Sequence, residues 1–382
     1  VIFSDATDSS QQKINLLILS RVPGLGPARI RALKRQFGTS NAIFHADERA
    51  LAVIPGIGRK LARTITDFFR SPRNLDLARK SAERQLALLD RYNATLVTID
   101  EASYPPLLKE IYDPPPYLFV RGDIQAAHSP CLSVVGTRQA TLYGRKAVEH
   151  ICRGLVTKGF TIVSGFAYGI DMAAHKATLD NGGKTIAILA GGVDNPHTDP
   201  AGKVWPRIIE EGAILSEEWL ESTISPSKFP KRNRLISGIS KGTVIVESKS
   251  RGGSLITASY ALDQNREVFS VPGSIFSTTS AGPNALIEKS QAKLVNGAED
   301  IIAELCSYPA TPEKTIPDTP VRVPPTPEET IILDHFSEEP LHIDMLAEKT
   351  GIEPSELLVH LFEMELKNLI EQQPGQMFCK NS

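Results

Sequence analysis

The strongest constraint on this chain is an alternation that begins at residue 95 and continues to residue 304. Short apolar, Val/Ile-rich runs occur at 95–99, 132–135, 160–163, 185–189, 213–217, 243–247, 267–271 and 292–295. Stretches of helical spacing or composition lie between them at 144–158, 171–181, 202–211, 254–264 and 283–290. The runs carry few charges, so both faces of the resulting strands must be covered. Strands joined through helices pair mostly in parallel. The pattern predicts an α/β fold: an extended Rossmann-like, doubly wound, mostly parallel sheet. Ligands of such sheets gather at the carboxyl ends of the strands. That rule places Gly136-Thr137-Arg138, Ser164 to Asp171, Gly191-Gly192, the 249–254 segment and Pro272-Gly273 on one rim.

At 382 residues the chain is too long for one ordinary core, and two or three domains are expected. Ahead of the alternating region lies an internal repeat, Val22-Pro23-Gly24-Leu25-Gly26 and, 32 residues on, Ile54-Pro55-Gly56-Ile57-Gly58. Helical patterns follow each copy, Ala28 to Phe37 and Lys60 to Phe69. The repeat resembles a tandem helix-hairpin-helix, or SAM-like, all-α module, in which glycines permit a tight turn whose N–H groups can face phosphate. Arg29, Arg31, Arg59, Lys60 and Arg63 follow closely enough to add charge. A module that only sets helix packing is the plainer alternative. Behind the alternating region, residues 307–327 hold seven prolines, which reads as an extended linker. Glu328 to Phe336, Ile343 to Lys349 and Pro354 to Ile370 then read as three helices, and Gln372 to Lys380 as a short β-wing around Pro374-Gly375. That is the outline of a winged helix-turn-helix. The expected division is 1–92, 93–306, the linker 307–327, and 328–382.

The formal net charge of -2 conceals an asymmetry. Residues 1–92 carry 16 Lys/Arg against 8 Asp/Glu, residues 93–327 carry 23 against 24, and residues 328–382 carry 3 against 12. A basic front suits a polyanion; an acidic tail does not. Duplex binding rests on neutralising phosphates, and the third helix of the tail offers Glu356, Glu363 and Glu365 against Lys367 alone. The winged helix is therefore expected not to bind DNA and to dock a protein or the basic front domain instead.

On the rim, Gly136-Thr137-Arg138 ends a strand, so the backbone can approach an anion while Arg138 supplies a charged fork. A structural ion pair is the alternative role for Arg138. Ser164 and Gly165 turn the chain after the next strand, and Gly169 permits close approach before a helix whose positive end points to the same place. Asp171 is expected to satisfy backbone donors in that helix's first turn, and His175 to be packed. Lys228, Lys231, Arg232 and Arg234 put four cations within seven residues, with Asn233 among them and Phe229 beside Pro230. Such a cluster repels itself unless an anion is present; a solvated basic loop is the plain reading. Phe229 can stack on a base or pack under the segment. Ser254 and Thr257, after Gly252-Gly253, can cap a helix or contact phosphate.

Taken in order, V-V-G-T-R (134–138), S-G-F-A-Y-G-I-D-x-x-A-H (164–175), F-P-K-R-N-R-L-I-S-G (229–238), G-G-S-L-I-T-A (252–258) and R-E-V-F-S-V-P-G (266–273) resemble the DprA/Smf family of bacterial DNA-processing proteins. The likeness runs through about 130 to 305, and the helical front and winged-helix back complete the three-domain form. The resemblance implies a cytoplasmic protein that binds single-stranded DNA without sequence preference, protects incoming strands and loads the RecA recombinase during natural transformation or related recombination. It further implies a homodimer, with single-strand binding protein as a candidate partner. The implied DNA-binding residues are Gly136, Thr137, Arg138, Ser164, Gly165, Gly169, Lys228, Phe229, Lys231, Arg232, Asn233, Arg234 and Ser254. One departure is Gly192-Val193-Asp194-Asn195-Pro196-His197, where family members commonly place a Tyr-Pro and often a cation.

Other classes are less well served. There is no Walker sequence, no G-x-G-x-x-G after the first strand, no metal-ligand cluster and no nucleophile triad at motif spacing. No catalysis, cofactor or metal is therefore expected. The best enzymatic rival is a nucleotide phosphoribohydrolase of the lysine-decarboxylase-like (LOG) type, which would need Glu247 or Asp171 as its carboxylate. A pure interaction scaffold leaves the basic rim unexplained. Cysteines 131, 152, 306 and 379 lie far apart, as suits free or buried thiols in a reducing compartment. The opening residues are polar and acidic, and no apolar run approaches the ~18 residues of a membrane span.

Overall fold

The computed structural model describes residues 3–307, 325–336, 341–367, 369–373 and 377–380. Most of the proline-rich linker and the expected wing tip at 374–376 lie outside the described residues. The chain divides into two compact units at 307/308.

The first unit opens with six helices: α1 (Phe3–Leu19), α2 (Pro27–Phe37), α3 (Ser40–Phe44), α4 (Glu48–Ala52), α5 (Arg59–Arg70) and α6 (Pro72–Tyr92). Their boundaries follow from local chemistry. Pro27 and Pro72 open α2 and α6, and the side chains of Thr39, Asp47 and Ser71 accept from backbone N–H groups at the starts of α3, α4 and α6. In the repeat, Gly24 and Gly56 adopt φ of 77° and 80°, the left-handed turn that a side chain resists. Arg29 donates to the Gly24 carbonyl (2.7 Å) and the Gly56 carbonyl (2.9 Å). One guanidinium expected to add charge toward phosphate thus ties the two hairpins to each other.

There follow β1 (Thr95–Thr98), α7 (Pro106–Lys109), β2 (Tyr117–Gly122), a 3-10 turn at Ile124–His128, β3 (Cys131–Val135), α8 (Leu142–Thr157), β4 (Thr161–Ser164), α9 (Ile170–Asp180) and β5 (Thr185–Ile188). The unit continues with α10 (Trp205–Glu211), β6 (Ala213–Ser216), α11 (Lys228–Gly238), β7 (Gly242–Ile245), α12 (Gly253–Asp263), β8 (Glu267–Ser270), α13 (Ala281–Glu288), β9 (Lys293–Leu294) and α14 (Ala298–Ser307). The nine strands form one sheet in the order β1-β2-β6-β5-β4-β3-β7-β8-β9. β1–β2 and β2–β6 are antiparallel and the remaining pairs are parallel. All eight strands expected from the apolar runs are present; β2, within P-P-P-Y-L-F-V-R-G, is an additional one.

Alternation along the strands divides the core between the sheet's faces. Leu132, Val134, Ile162, Val244 and Phe269 pack with Val148, Ile151, Leu155 and Ala174 of α8 and α9 and with Ile301 of α14. Val135, Val163, Ile186 and Ile245 pack instead with Leu235, Ile236 and Ile239 of and beside α11 and with Ala258 and Ala261 of α12. From β3 the chain runs outward through β4, β5 and β6, then returns to lay β7 on the other side of β3 and continues to β8 and β9. The switch point of the winding is therefore the β3/β7 pair.

The helical front shares a core with the α/β part. Leu16 to Leu19, Ile30, Leu33 and Leu88 belong to one buried cluster with Leu96, Phe119, Leu189 and Leu220. Polar contacts fix the register: Trp219 Nε1 donates to Tyr117 Oη (2.9 Å), which donates to Ser20 Oγ (3.1 Å). The buried Gln85 accepts from Leu220 N–H (2.8 Å) and donates to its carbonyl (3.3 Å).

The second unit contains α15 (Pro327–Leu333), β10 (Leu341–His342), α16 (Ile343–Thr350), α17 (Pro354–Leu366), β11 (Ile370–Gln373) and β12 (Met377–Lys380), with strand order β10-β12-β11. It has its own core of Ile332, Ile343, Leu346, Leu357, Leu361, Met364, Ile370 and Phe378. The winged-helix outline holds. The third helix is shorter than its apolar pattern suggests, because Ile370 begins a wing strand.

Because both polar groups of Leu220 depend on one amide, Gln85→Ala is expected to lower unfolding stability by about 1–3 kcal/mol. Arg84→Ala removes only the exposed pair with Glu221 (2.6 Å) and is expected to cost under about 1 kcal/mol. Urea unfolding of the two variants measures the difference.

Candidate nucleic-acid interface

The rim over the β3/β7 switch holds a pocket of about 300 Å³. Its walls come from the loop after β3 (Gly136, Thr137, Arg138), the start of α11 (Phe229, Arg232, Asn233) and the loop from β7 into α12 (Ser248, Lys249, Arg251, Gly252, Gly253, Ser254). Seven of the thirteen residues singled out from sequence line it directly: Gly136, Thr137, Arg138, Phe229, Arg232, Asn233 and Ser254.

The rim is held by Glu247, which is buried just beyond β7. Its carboxylate accepts from the Thr141 N–H (2.9 Å) and hydroxyl (2.6 Å) and from the Thr279 hydroxyl (3.2 Å). Its main-chain carbonyl accepts from Thr137 N–H (2.7 Å). One residue thereby joins the loops that follow β3, β7 and β8. The carboxylate that a hydrolase reading requires is engaged within the fold. Asp171, the other candidate, accepts from Gly165 N–H (3.2 Å) and Ala167 N–H (3.3 Å) in the first turn of α9, the backbone role anticipated for it.

Gly169 has φ of 81°, and a Cβ there would stand 2.3 Å from the Thr137 carbonyl oxygen. The glycine lets the loop after β4 lie directly on the Gly136-Thr137-Arg138 turn, beside the pocket. Ser164 is fully buried and its hydroxyl donates to the Val134 carbonyl (2.7 Å). Both residues shape the rim from beneath.

F-P-K-R-N-R is not a loop: Lys228 to Gly238 form α11. Its cations have found anions inside the protein. Lys228 pairs with Glu218 (2.7 Å), and Lys231 lies 3.5 Å from Glu217 and 3.9 Å from Glu218. Arg234 is buried between Asp113 (3.1 Å) and Glu217 (2.5 Å). Arg232 is buried as well and donates to the carbonyls of Gly165 and Ile188, close to Asp171. The expectation that the cluster must await an external anion is corrected: Glu217, Glu218, Asp113 and Asp171 supply the compensation, since cations this deep need partners.

The free cations are elsewhere. Among the described residues no ion pair engages Arg138, Lys249 or Arg251, and all three are exposed. Arg138 stands with its guanidinium carbon 5.1 Å from the centre of the half-buried Phe229 ring. Ser254 is 8% exposed and its hydroxyl has no partner. It does not cap α12; the residue lines the pocket wall with its hydroxyl buried and, among the described residues, unpartnered. Lys249 and Arg251 were not singled out individually, although their segment falls on the expected rim.

Comparison with known proteins finds three family models along the chain. Residues 95–306 match the family model described as DNA recombination-mediator protein A, 316–376 the DprA winged helix domain, and 16–71 the SAM-like helix-hairpin-helix tandem. Protein Smf of Escherichia coli is 39% identical over 313 residues, covering 80% of this chain and 83% of that protein. DNA processing protein DprA of Bacillus subtilis is 40% identical over 223 residues, covering 58% and 75%. The X-ray structure of DNA processing protein A from Streptococcus pneumoniae aligns with TM-score 0.63 at 32% identity, covering 76% of this chain and 97% of that one. DNA processing protein A from Helicobacter pylori, whose structure was described for its single-stranded DNA binding mode, aligns with TM-score 0.50 at 28% identity, covering 56% and 96%.

Two titrating groups lie beneath the pocket. Burial pushes the Asp171 carboxyl up from 3.8 to about 6, against the pull of Arg232. Burial, reinforced by Arg232, pushes His175 down from 6.5 to about 3. Asp171 stabilises the fold fully below pH 3.8 and loses that contribution as pH rises through 6. His175 destabilises it as pH falls from 6.5 towards 3, because only the unfolded chain takes up the proton. The two slopes oppose each other between pH 4 and 6. Asp171→Asn is therefore expected to steepen acid destabilisation in that window, and His175→Gln to flatten it, each by at most about 1.4 kcal/mol per pH unit. Urea titrations at stepped pH measure both.

Proposed function

Because this chain belongs to the DNA recombination-mediator protein A family, we propose that its rim pocket binds single-stranded DNA without reading its sequence. The chain is a DNA-processing protein of the recombination-mediator class. The observation that carries the finer reading is the convergence of three unpaired cations, Arg138, Lys249 and Arg251, with the unsatisfied Ser254 hydroxyl on one pocket at the switch point. The hydroxyl of Thr137 and the side chain of Asn233 complete a surface suited to phosphate. Phe229 gives it one aromatic wall, on which a base can stack. A duplex keeps its bases inside the stack and has none to offer such a wall; a single strand does.

In this proposal Arg138, Lys249 and Arg251 take the backbone charge, while Ser164, Gly165, Gly169 and Arg232 hold the pocket's shape. Lys228, Lys231 and Arg234, paired with carboxylates, support α11 and contribute to the field around the entrance. The cycle is binding and hand-over, with no bond made or broken. The recipient is a RecA-type recombinase, and the working unit is a homodimer. The support for recipient and dimer is family membership, and for the DNA site the pocket's chemistry.

Three free cations imply a log-affinity slope against log salt of about -2 for single strands. This is shallower than the -3 to -4 that four to six phosphate-neutralising cations would give. Arg138→Ala and the double change Lys249→Ala/Arg251→Ala are expected to weaken oligonucleotides of every sequence about equally and to flatten that slope. Fluorescence anisotropy across a salt series, with single-stranded and duplex oligonucleotides, is the measurement. Equal affinity for duplex, or a loss confined to some sequences, would overturn the reading.

A further inference from the structure

The winged-helix unit carries a surface that its fold does not predict. In DNA-reading domains of this shape the third helix enters the major groove, and the flanking elements present cations to phosphates. Here that helix, α17, has apolar residues on two sides. Leu357, Leu361 and Met364 are fully buried in the unit's own core. Leu358, Val359 and Phe362 are 46, 57 and 62% exposed. Phe362 lies one turn beyond Leu358 and Val359, so the three share an outward face. Glu356 and Glu363 are exposed and fall together beside that face at helical spacing.

Among the described residues no cation lies on the outward face itself: Lys349 and Lys380 are exposed on α16 and β12. Of the three in residues 328–382, Lys367, just beyond α17, is engaged by the buried Glu329 at 2.6 and 2.8 Å. Phosphates would meet carboxylates and hydrocarbon on this helix. A second copy of the same face would set Glu356 and Glu363 against their own kind, within a segment of 12 acids and 3 bases, and like charges across an interface are costly.

We propose that the outward face of α17 docks a basic amphipathic helix of a partner protein, and that this unit does not read duplex DNA. Apolar residues of the partner would cover Leu358, Val359 and Phe362, and its Lys or Arg residues would meet Glu356 and Glu363. Exposed apolar side chains framed by charge are the anchors that helix-in-face recognition uses. The proposal is independent of single-strand binding at the rim pocket.

Residues 308–382 are a separate unit with its own core, so that fragment can be tested beside the full chain. The probes are a synthetic Leu/Lys amphipathic helix, a Leu/Glu helix of the same pattern, and a duplex oligonucleotide, each labelled for anisotropy. The Leu/Lys helix is expected to bind both fragment and full chain, more weakly as salt rises. The Leu/Glu helix and the duplex are expected not to bind at about 0.15 M salt. Phe362→Asp and Val359→Asp, at exposed positions, are expected to keep the melting temperature and weaken Leu/Lys binding by at least about tenfold. Glu356→Gln/Glu363→Gln is expected to remove the salt dependence. Duplex binding at that salt, equal binding of the two peptides, no binding of the Leu/Lys helix, or binding unchanged by Phe362→Asp would each overturn the proposal. So would self-association of the fragment in sedimentation that Phe362→Asp abolishes.

Discussion

The carboxylate of Glu247 is the contact on which the rim depends. A doubly wound sheet opens a crevice where its winding reverses, but the loops bordering that crevice arrive from strands with no reason of their own to keep a fixed spacing. Here one side chain just beyond β7 collects the N–H and hydroxyl of Thr141 and the hydroxyl of Thr279, and its own carbonyl collects Thr137 N–H. The loops after β3, β7 and β8 become one surface. Burial strengthens these bonds and makes an unpartnered alternative expensive, so the arrangement is set before any ligand arrives. Preorganisation of this kind matters for a charged pocket, because cations held in place need not be gathered when a phosphate approaches.

The basic residues fall into two populations with different physics. Arg232 and Arg234 are buried, where a charge without partners is not tolerated, and both are surrounded by carbonyls or carboxylates. They hold α11 against the ends of β4, β5 and β6. Arg138, Lys249 and Arg251 project from loops that this buried layer supports, without ion pairs among the described residues. A cation already matched to Glu217 or Glu218 gains little from a phosphate, since it must give up one anion to take another. The unmatched ones gain the whole interaction.

The parallel strands are legible in the sequence because each is covered on both faces, and such strands appear as uninterrupted apolar runs. β2 is not legible in this way: its run Tyr117 to Gly122 follows three prolines and inserts antiparallel between β1 and β6, and pairing out of sequence order leaves no local mark. Gly136-Thr137-Arg138 and Gly169 were legible because close backbone approach demands particular residues at particular places. The cations were harder. Whether a cation is free depends on which carboxylates the fold delivers to it, and Asp113 reaches Arg234 from the far side of several elements. Glu217-Glu218, directly after β6, was the available signal, since an acidic pair at a strand end beside a basic helix start is a ready partner. Lys249 and Arg251 lie in no motif and become conspicuous only once their lack of partners is seen.

Charge summed over a domain is therefore a poor guide to where a polyanion goes. Residues 93–327 are nearly neutral, with 23 bases against 24 acids, yet their rim concentrates three unpaired cations around one pocket. Among the counter-ions in that sum, Asp171, Glu217 and Glu247 are buried beneath the rim. The winged helix shows the converse. Its fold is the one duplex readers use, but fold is not function, and the side chains of α17 decide what it can touch. In both units the surface chemistry follows from which charges the core has already consumed. At the rim the acids are taken inward and the bases remain outside. In the winged helix Glu329 takes Lys367, while Glu356 and Glu363 stay exposed beside hydrocarbon. Opposite surfaces thus arise from the same rule, that a buried charge must be matched and an exposed one need not be.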